Sequence, residues 1–343
     1  MTTNNVKGGH VASGSKSSIK WAISGNILVM FSKLFAFILT GSGSMLAEGI
    51  HSLADVLNQS LLYLGISRAE RAPDELQSRG YGREQYVWSL ISAVGIFFLG
   101  CGVTFYHGVH MLWSGHEKHG SESQFWIAMS VLCFSLLVEG YVFWVALKEA
   151  KKQAKGSLMS YLRDDPDPAL VAVLLEDSAA CLGIIFAFFG MALTHWTGLM
   201  IWDAIGTLLI AILLGVIAIW LVKLNSQFLV GKGLNPAILA EVNQVLAQQE
   251  YIEGVSHLNS ESIGPGKYEI QLDLDFDEDT LVKKVDIDLK AAYQELNNEE
   301  EFIDFCHRYG AESMRLVRGT IDDLEAEIRQ KVKKIDFIDI EPN

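Results

Sequence analysis

The sequence predicts a polytopic α-helical membrane protein in which six spanning helices are followed by a cytoplasmic α+β domain. Three observations predict it. Half of the 343 residues are hydrophobic, a composition that leans toward a membrane protein rather than a soluble one. Six apolar stretches of bilayer-spanning length occur before residue 230, and none after it. Charge changes at the same point: residues 1–230 carry 15 Lys/Arg against 16 Asp/Glu, whereas residues 231–343 carry 12 against 25.

Residues 1–17 are polar and read as a disordered arm. They lack the apolar core of a signal peptide and the Arg-rich amphipathic pattern of an organelle presequence, which favours a bacterial cytoplasmic (inner) membrane. The transmembrane domain takes up residues 18–230, with spans expected near 18–40, 43–67, 85–113, 124–147, 167–193 and 199–224. Arg68, Arg71, Arg79 and Arg83 crowd the link after the second span, and Lys148, Lys151, Lys152, Lys155 and Arg163 the link after the fourth. The other three links hold only Lys118. The positive-inside rule then makes the basic links cytoplasmic, together with both termini.

The tail, residues 231–343, changes period. N-P-A-I-L-A-E-V-N-Q-V-L-A-Q-Q starts a helix with Pro236 in its first turn, and K-Y-E-I-Q-L-D-L-D-F-D alternates as a strand. S-H-L-N-S-E-S-I is its expected partner through Gly264, Pro265 and Gly266. T-I-D-D-L-E-A-E-I-R-Q-K-V-K-K-I is an amphipathic helix leading into a last strand, D-F-I-D-I. These make a small open-faced α+β sandwich, with residues 279–312 as an inserted, mostly helical segment.

Composition also excludes functions. The acidic tail solvates the domain and repels phosphates, so no nucleic-acid partner is expected. Cys101, Cys133, Cys181 and Cys306 are widely spaced, which argues against a disulfide framework or a sulfur metal site. No span carries H-E-x-x-H, the pattern an intramembrane metallohydrolase would need. A membrane-anchored scaffold with purely structural buried polar residues remains as a further reading.

An ionisable group in a span costs a few kcal/mol, so each one is a functional candidate. In G-I-H-S-L-A-D-V-L-N-Q, His51 and Asp55 lie four residues apart, about 40° around one helix face. A nitrogen and a carboxylate aimed at one point can ligate a metal, or can simply hydrogen-bond to each other. L-L-E-D-S-A-A buries Glu176 and Asp177, two carboxylates that need a cation to stay ionised. A divalent ion between the second and fifth spans resolves both. Nitrogen and oxygen ligands in that number suit Zn2+, whereas Mn2+, Fe2+, Co2+ or Cd2+ remain open. Because these ligands bind metal only when deprotonated, the site supports exchange of metal for H+. Glu48, Glu139 and Asp203 are candidates for a supporting shell or a proton relay, Glu139 as a buried hydrogen-bond partner and Asp203 as a helix cap. Lys33 snorkels or pairs with an acid, and His107, His110, His116, His119 and His195 lie toward the outer side.

At these residues the sequence resembles the cation diffusion facilitator family, in its zinc transporter 9-like branch. The matches are A-E-G-I-H-S-L-A-D-V-L-N-Q, S-L-I-S-A-V-G-I-F, A-V-L-L-E-D-S-A-A-C-L-G and E-F-I-D-F-C-H-R-Y-G-A-E. The resemblance implies six transmembrane helices, a cytoplasmic ferredoxin-like domain, a homodimer in the lipid bilayer, and proton-coupled efflux of zinc or a related metal. It implies His51, Asp55 and Asp177 as ligands; Glu176, read from its own burial and not from the resemblance, is the expected fourth ligand or proton acceptor, with a water as the alternative. Two departures stand out. Val173 occupies the position four before Asp177 where most members carry His or Asp, and the link after the second span, D-E-L-Q-S-R-G-Y-G-R, has no histidine. An accessory metal site in that link is therefore not expected, and one in the tail would rest on carboxylates beside His257, His307 and Cys306.

Overall fold

Helices fill the first two thirds of the chain because apolar runs in lipid must satisfy their backbone hydrogen bonds internally. The computed structural model describes residues 20, 23–35, 38, 43–114, 122–154, 157–159, 162 and 167–343, and the backbone alone at 43–51, 114, 153 and 168. The expected amino-terminal arm, His116, His119, Lys118, Lys155 and Arg163 lie outside the described residues. The chain divides into two units, residues 1–230 with 264–266, and residues 231–263 with 267–343.

In the first unit α1 (Ile23–Phe35) precedes α2 (Gly43–Ala69). Then α3 (Glu84–Gly95) runs through a π-helical segment, Ile96–Val103, into α4 (Thr104–Ser114). Helices α5 (Glu122–Gln153), α6 (Pro168–Thr197) and α7 (Ile201–Val230) follow. Among the described residues four helical stretches are long and apolar enough to cross a membrane: Glu84–Trp113, Glu122–Lys152, Ala169–Thr197 and Ile201–Val230. Helix α2, at 27 residues, spans roughly 40 Å, and its buried face is diluted by Ser52, Asn58 and Gln59. The π-helical segment coincides with Gly100 and Gly102, and such bulges concentrate at functional positions.

Local chemistry sets the start of α6. Asp167 is its N-cap, accepting from the backbone N–H groups of Ala169 at 3.0 Å and Leu170 at 3.4 Å, and Pro168 takes the first helical position. Gly198 ends the helix in the left-handed conformation at φ 73°. Close approach binds α6 to α7: a Cβ on Gly190 would lie 2.9 Å from the Trp202 carbonyl oxygen, and one on Gly206 3.0 Å from that of Phe186.

The main apolar core collects at one end of the bundle. Leu62, Ile66, Tyr86, Leu170, Val173, Leu221 and Phe228 are buried there, close to the end of α2, the starts of α3 and α6, and the end of α7. The Tyr86 and Phe228 rings stack with centroids 4.9 Å apart. This is the tail-proximal end, since the tail begins where α7 stops.

In the second unit α8 (Pro236–Leu246) is capped by Asn235, whose side chain accepts from the N–H groups of Ala237 and Ile238 at 3.0 Å. Strands β1 (Ile252–Gly264) and β2 (Lys267–Phe276) follow, then α9 (Glu278–Val282), α10 (Leu289–Glu295), α11 (Glu299–Lys331) and β3 (Ile335–Pro342). The sheet order is β1-β2-β3, with β2 and β3 parallel and Ile270 opposite Ile338. Parallel neighbours need a crossover, which α9 to α11 supply. Tyr268, Ile270, Leu272 and Leu274 alternate onto the face that packs against Ile238 and Val242 of α8 and Leu324 and Ile328 of α11. The segment expected as an insertion, 279–312, is helical, but residues 299–312 are not separate from the amphipathic helix that follows. They are the first half of α11, whose cap Asn298 accepts from Glu301 N–H at 2.9 Å.

The link from α2 to α3 is ordered by one carboxylate. Asp74 accepts from the N–H groups of Leu76 at 3.0 Å and Gln77 at 2.9 Å and from the Tyr81 hydroxyl at 2.7 Å. The Tyr81 hydrogen bond, followed by the Gln77 amide, holds the Asp74 carboxyl below its ordinary value. A depressed folded value means that the link is held above the ordinary carboxylate range and loosens as pH falls through the lowered value. Trypsin cleavage at Arg79 should therefore be slow at neutral pH in the parent and faster in Asp74→Asn. In the tail, Leu272→Ala leaves a cavity in the sheet core and should cost about 2–5 kcal/mol, read from the denaturant midpoint of the tail transition.

Candidate functional site

Helix α2 presents Ser52, Asp55, Asn58 and Gln59 at helical spacing, so they share a face. Ser52, Asn58 and Gln59 are buried and Asp55 is half-buried. Helix α6, which touches α2, contributes Glu176 and Asp177. Both are buried, at 4% and 2% exposure, among apolar neighbours such as Val173 and Leu174.

Adjacent residues on a helix diverge by about 100°, and the two acids face different neighbours. Glu176 approaches Asp55 and Asn58 of α2 without closing a well-formed hydrogen bond to either. Asp177 stands within electrostatic reach of Glu139 on α5 and of Asp55. Asp55 is thus the neighbour they share. Among the described residues, both carboxylate oxygens of Glu176 and one of Asp177 are buried with no hydrogen-bond partner. Orphaned buried oxygens of this kind require a proton or a cation. The donor set therefore fits a hard or borderline divalent ion. Among the described residues no three His, Cys, Asp or Glu side chains already converge on one point. The His51 backbone lies one turn before Asp55, while the side chains of His51 and Glu48 fall outside the described residues. Val173, one turn before Asp177, is fully buried in the apolar core and offers no donor.

The remaining candidates separate. Lys33 pairs with Glu139 at 3.8 Å and donates to Ser52 Oγ at 3.1 Å. Asp203 is half-buried in the first turn of α7, where its backbone N–H donates to Thr194 Oγ1 at 3.2 Å. Thr194 is 17 residues along α6 from Asp177, about 25 Å, so Asp203 belongs to the far end of the bundle. His195 stacks on Phe125 with ring centroids 4.0 Å apart, and the exposed His110 lies 6.1 Å from Tyr106.

Three positions escape a search for ionisable groups. Asn58 fits over Gly95, where a Cβ would lie 2.8 Å from Asn58 Oδ1, and its backbone carbonyl accepts from Ser92 Oγ at 3.4 Å. Gln59 is fully buried with its amide unpartnered. Asp167 also accepts from Gln85 Nε2 at 2.7 Å, tying the starts of α3 and α6. Asn58 and Gln59 carry no charge to mark them, and Asp167 stands at the edge of its span, where an acid reads as a helix cap. Asn58 and Gln59 lie inside the run containing His51 and Asp55, which was their available mark.

The family model of the cation efflux transmembrane domain matches residues 19–230. The chain is 34% identical over 328 residues to the proton-coupled zinc antiporter SLC30A9, mitochondrial, of Homo sapiens, covering 93% of this chain and 57% of that protein. It is 33% identical over 341 residues to metal tolerance protein C4 of Arabidopsis thaliana, covering 95% and 73%. It is 24% identical over 257 residues to the manganese efflux system protein MneP of Bacillus subtilis, covering 75% and 82%. The chain thus spans a little over half the length of the human relative.

The Gly95 contact gives a direct check on Asn58. Gly95→Val forces Asn58 away from Glu176 and should weaken divalent-cation binding about ten- to a hundredfold in titration calorimetry, as Asn58→Ala should. Unchanged affinity in both variants would remove Asn58 from the site.

Proposed function

The chain belongs to the cation efflux family, and we propose that it is a proton-coupled exporter of a divalent metal cation, Zn2+ first among them. On this reading it is a secondary transporter, not an enzyme. The observation that carries the reading is the set of buried oxygens on Glu176 and Asp177, unpartnered among the described residues, beside the half-buried Asp55. Asp55, Asp177 and His51 hold the ion, and Glu176 serves as fourth ligand or proton acceptor in place of the donor that Val173 does not supply. The same oxygens take a proton when the metal leaves, so metal and H+ compete for one place. This competition makes an antiporter: each departing ion is exchanged for protons, and the gradient of one drives the other.

The reading extends to six spanning helices in residues 18–230, completed by α1 and α2, and to a ferredoxin-like tail in residues 231–343. The basic links and the tail face the side from which metal is taken, which in a bacterial cytoplasmic membrane is the cytoplasm. The assembly is a homodimer, on family resemblance. Alternating access then opens and closes the tail-proximal core, where the Tyr86–Phe228 stack and the Asp167–Gln85 hydrogen bond tie α3 to α7 and α6. A second reading, export of Mn2+ or of Fe2+, Co2+ or Cd2+, draws on the oxygen-rich donors and on the manganese-efflux relative.

Proteoliposomes with an imposed pH gradient test both readings across a panel of these metals. The parent should couple Zn2+ flux to proton movement, and Asp55→Ala should fall to the level of empty liposomes. Parental flux in Asp55→Ala, or flux indifferent to the pH gradient, contradicts the proposal. A manganese preference selects the second reading.

A further inference from the structure

Lys33 is a buried charge that ion binding by Asp55, Asp177 and His51 leaves unused. At 2% exposure it is the lone Lys or Arg among the buried described residues. Its ammonium lies 3.8 Å from Oε1 of Glu139, itself 4% exposed, and donates to Ser52 Oγ at 3.1 Å. Helices α1, α2 and α5 thus meet at one cation. Ser52 stands one turn before Asp55 on α2, and Glu139 is within electrostatic reach of Asp177 on α6. The pair therefore abuts both halves of the candidate ion site.

Stability alone does not account for it. A buried ion pair is often matched or surpassed by apolar residues of similar volume, because desolvation offsets most of the attraction. Charge balance does account for it. Among the described side chains Asp55, Glu139, Glu176 and Asp177 carry four negative charges when ionised, and a divalent ion would leave minus two of that charge around itself. With Lys33 present the remainder is minus one, so the ion is held less tightly and can leave. An unrestrained Glu139 would also be free to turn its carboxylate toward a cation at Asp177.

We propose that Lys33 is a positioning residue, a resident counter-cation that holds Glu139 back from the transported ion and thereby sets how tightly that ion is bound. The inference rests on the reading that Asp55 and Asp177 hold the ion. It gives the two members of the pair opposite effects. Removing Lys33 releases Glu139 to the ion, which binds more tightly and departs more slowly. Removing the Glu139 charge takes one negative charge from beside the ion, and the ion binds more weakly.

The test is Zn2+ flux into proteoliposomes as a function of Zn2+ concentration, with the parent, Lys33→Met, Glu139→Gln, the double variant and Asp177→Ala. Lys33→Met should lower KM about tenfold and also lower the maximal rate, and Glu139→Gln should raise KM about tenfold. The double variant should return KM to near the parent. Opposite shifts with mutual rescue are not produced by damaged folding, which lowers the amount of active protein and leaves KM in place. KM values that stay fixed, or that move in the same direction in both single variants, overturn the inference. If Lys33→Met does not assemble, Glu139→Gln decides alone, and an unchanged KM is then the overturning result. Failure of the underlying reading shows separately, as saturable flux that survives in Asp177→Ala.

Discussion

A carboxylate held between helices inside a bilayer costs about 2.5–3.5 kcal/mol or more, and it persists only where positive charge, hydrogen-bond donors or a proton accompanies it. Four carboxylates, those of Asp55, Glu139, Glu176 and Asp177, lie on three helices of this bundle, Asp177 within electrostatic reach of the other three and Asp55 of both acids on α6. Much of the polar architecture around them answers that constraint. Lys33 crosses to Glu139 and Ser52, Asn58 leans toward Glu176, and the oxygens left over are the ones without partners. A fixed set of internal donors would have satisfied every acid and left nothing for a mobile ion. On the proposed reading the arrangement instead leaves, among the described residues, an unmet demand for positive charge.

Packing places these acids beside an apolar core. The densest apolar contacts, from Leu62 and Ile66 through Tyr86, Leu170 and Leu221 to Phe228, lie on the tail-proximal side. Small residues let the helices approach at chosen points: Gly95 admits Asn58, Gly215 faces Cys101 in the π-helical segment, and Gly190 and Gly206 bring α6 against α7. A π-helical turn carries a locally altered hydrogen-bond ladder, so the segment after Gly95 is suited to absorb a helix shift without loss of the spans on either side.

Much of this was legible in the sequence, and the gaps have identifiable causes. The apolar runs of the third to sixth spans marked long helices because burial in lipid demands near-continuous hydrophobicity. Helix α2 was also located correctly, although its polar turn weakens that signal. The alternation around Ile270 and Leu272 revealed the strand, whereas its register with β3 depends on a shift between Tyr268 and Glu269 that no alternation marks. The join of residues 299–312 to the amphipathic helix was missed, since the acidic first turn, Glu299 to Glu301, marks a helix start without saying where the helix ends. At the site the acids announced themselves by their cost in lipid. Asn58, Gln59 and Gln85 did not, because an amide is cheap enough to pass as ordinary sequence until its neighbours are known. The pairing of Lys33 with Glu139 joins residues 106 apart in sequence, beyond the reach of any local pattern.

The central claim is that one cation is held by nitrogen and oxygen donors of α2 and α6. X-ray absorption at the zinc edge of the purified, metal-loaded protein tests it most directly. The account predicts one Zn2+ in a shell of nitrogen and oxygen atoms at about 2.0–2.2 Å, lost when Asp55 and Asp177 are both replaced by alanine. Zinc bound by sulfur at about 2.3 Å, or a shell unchanged in that double variant, would contradict it.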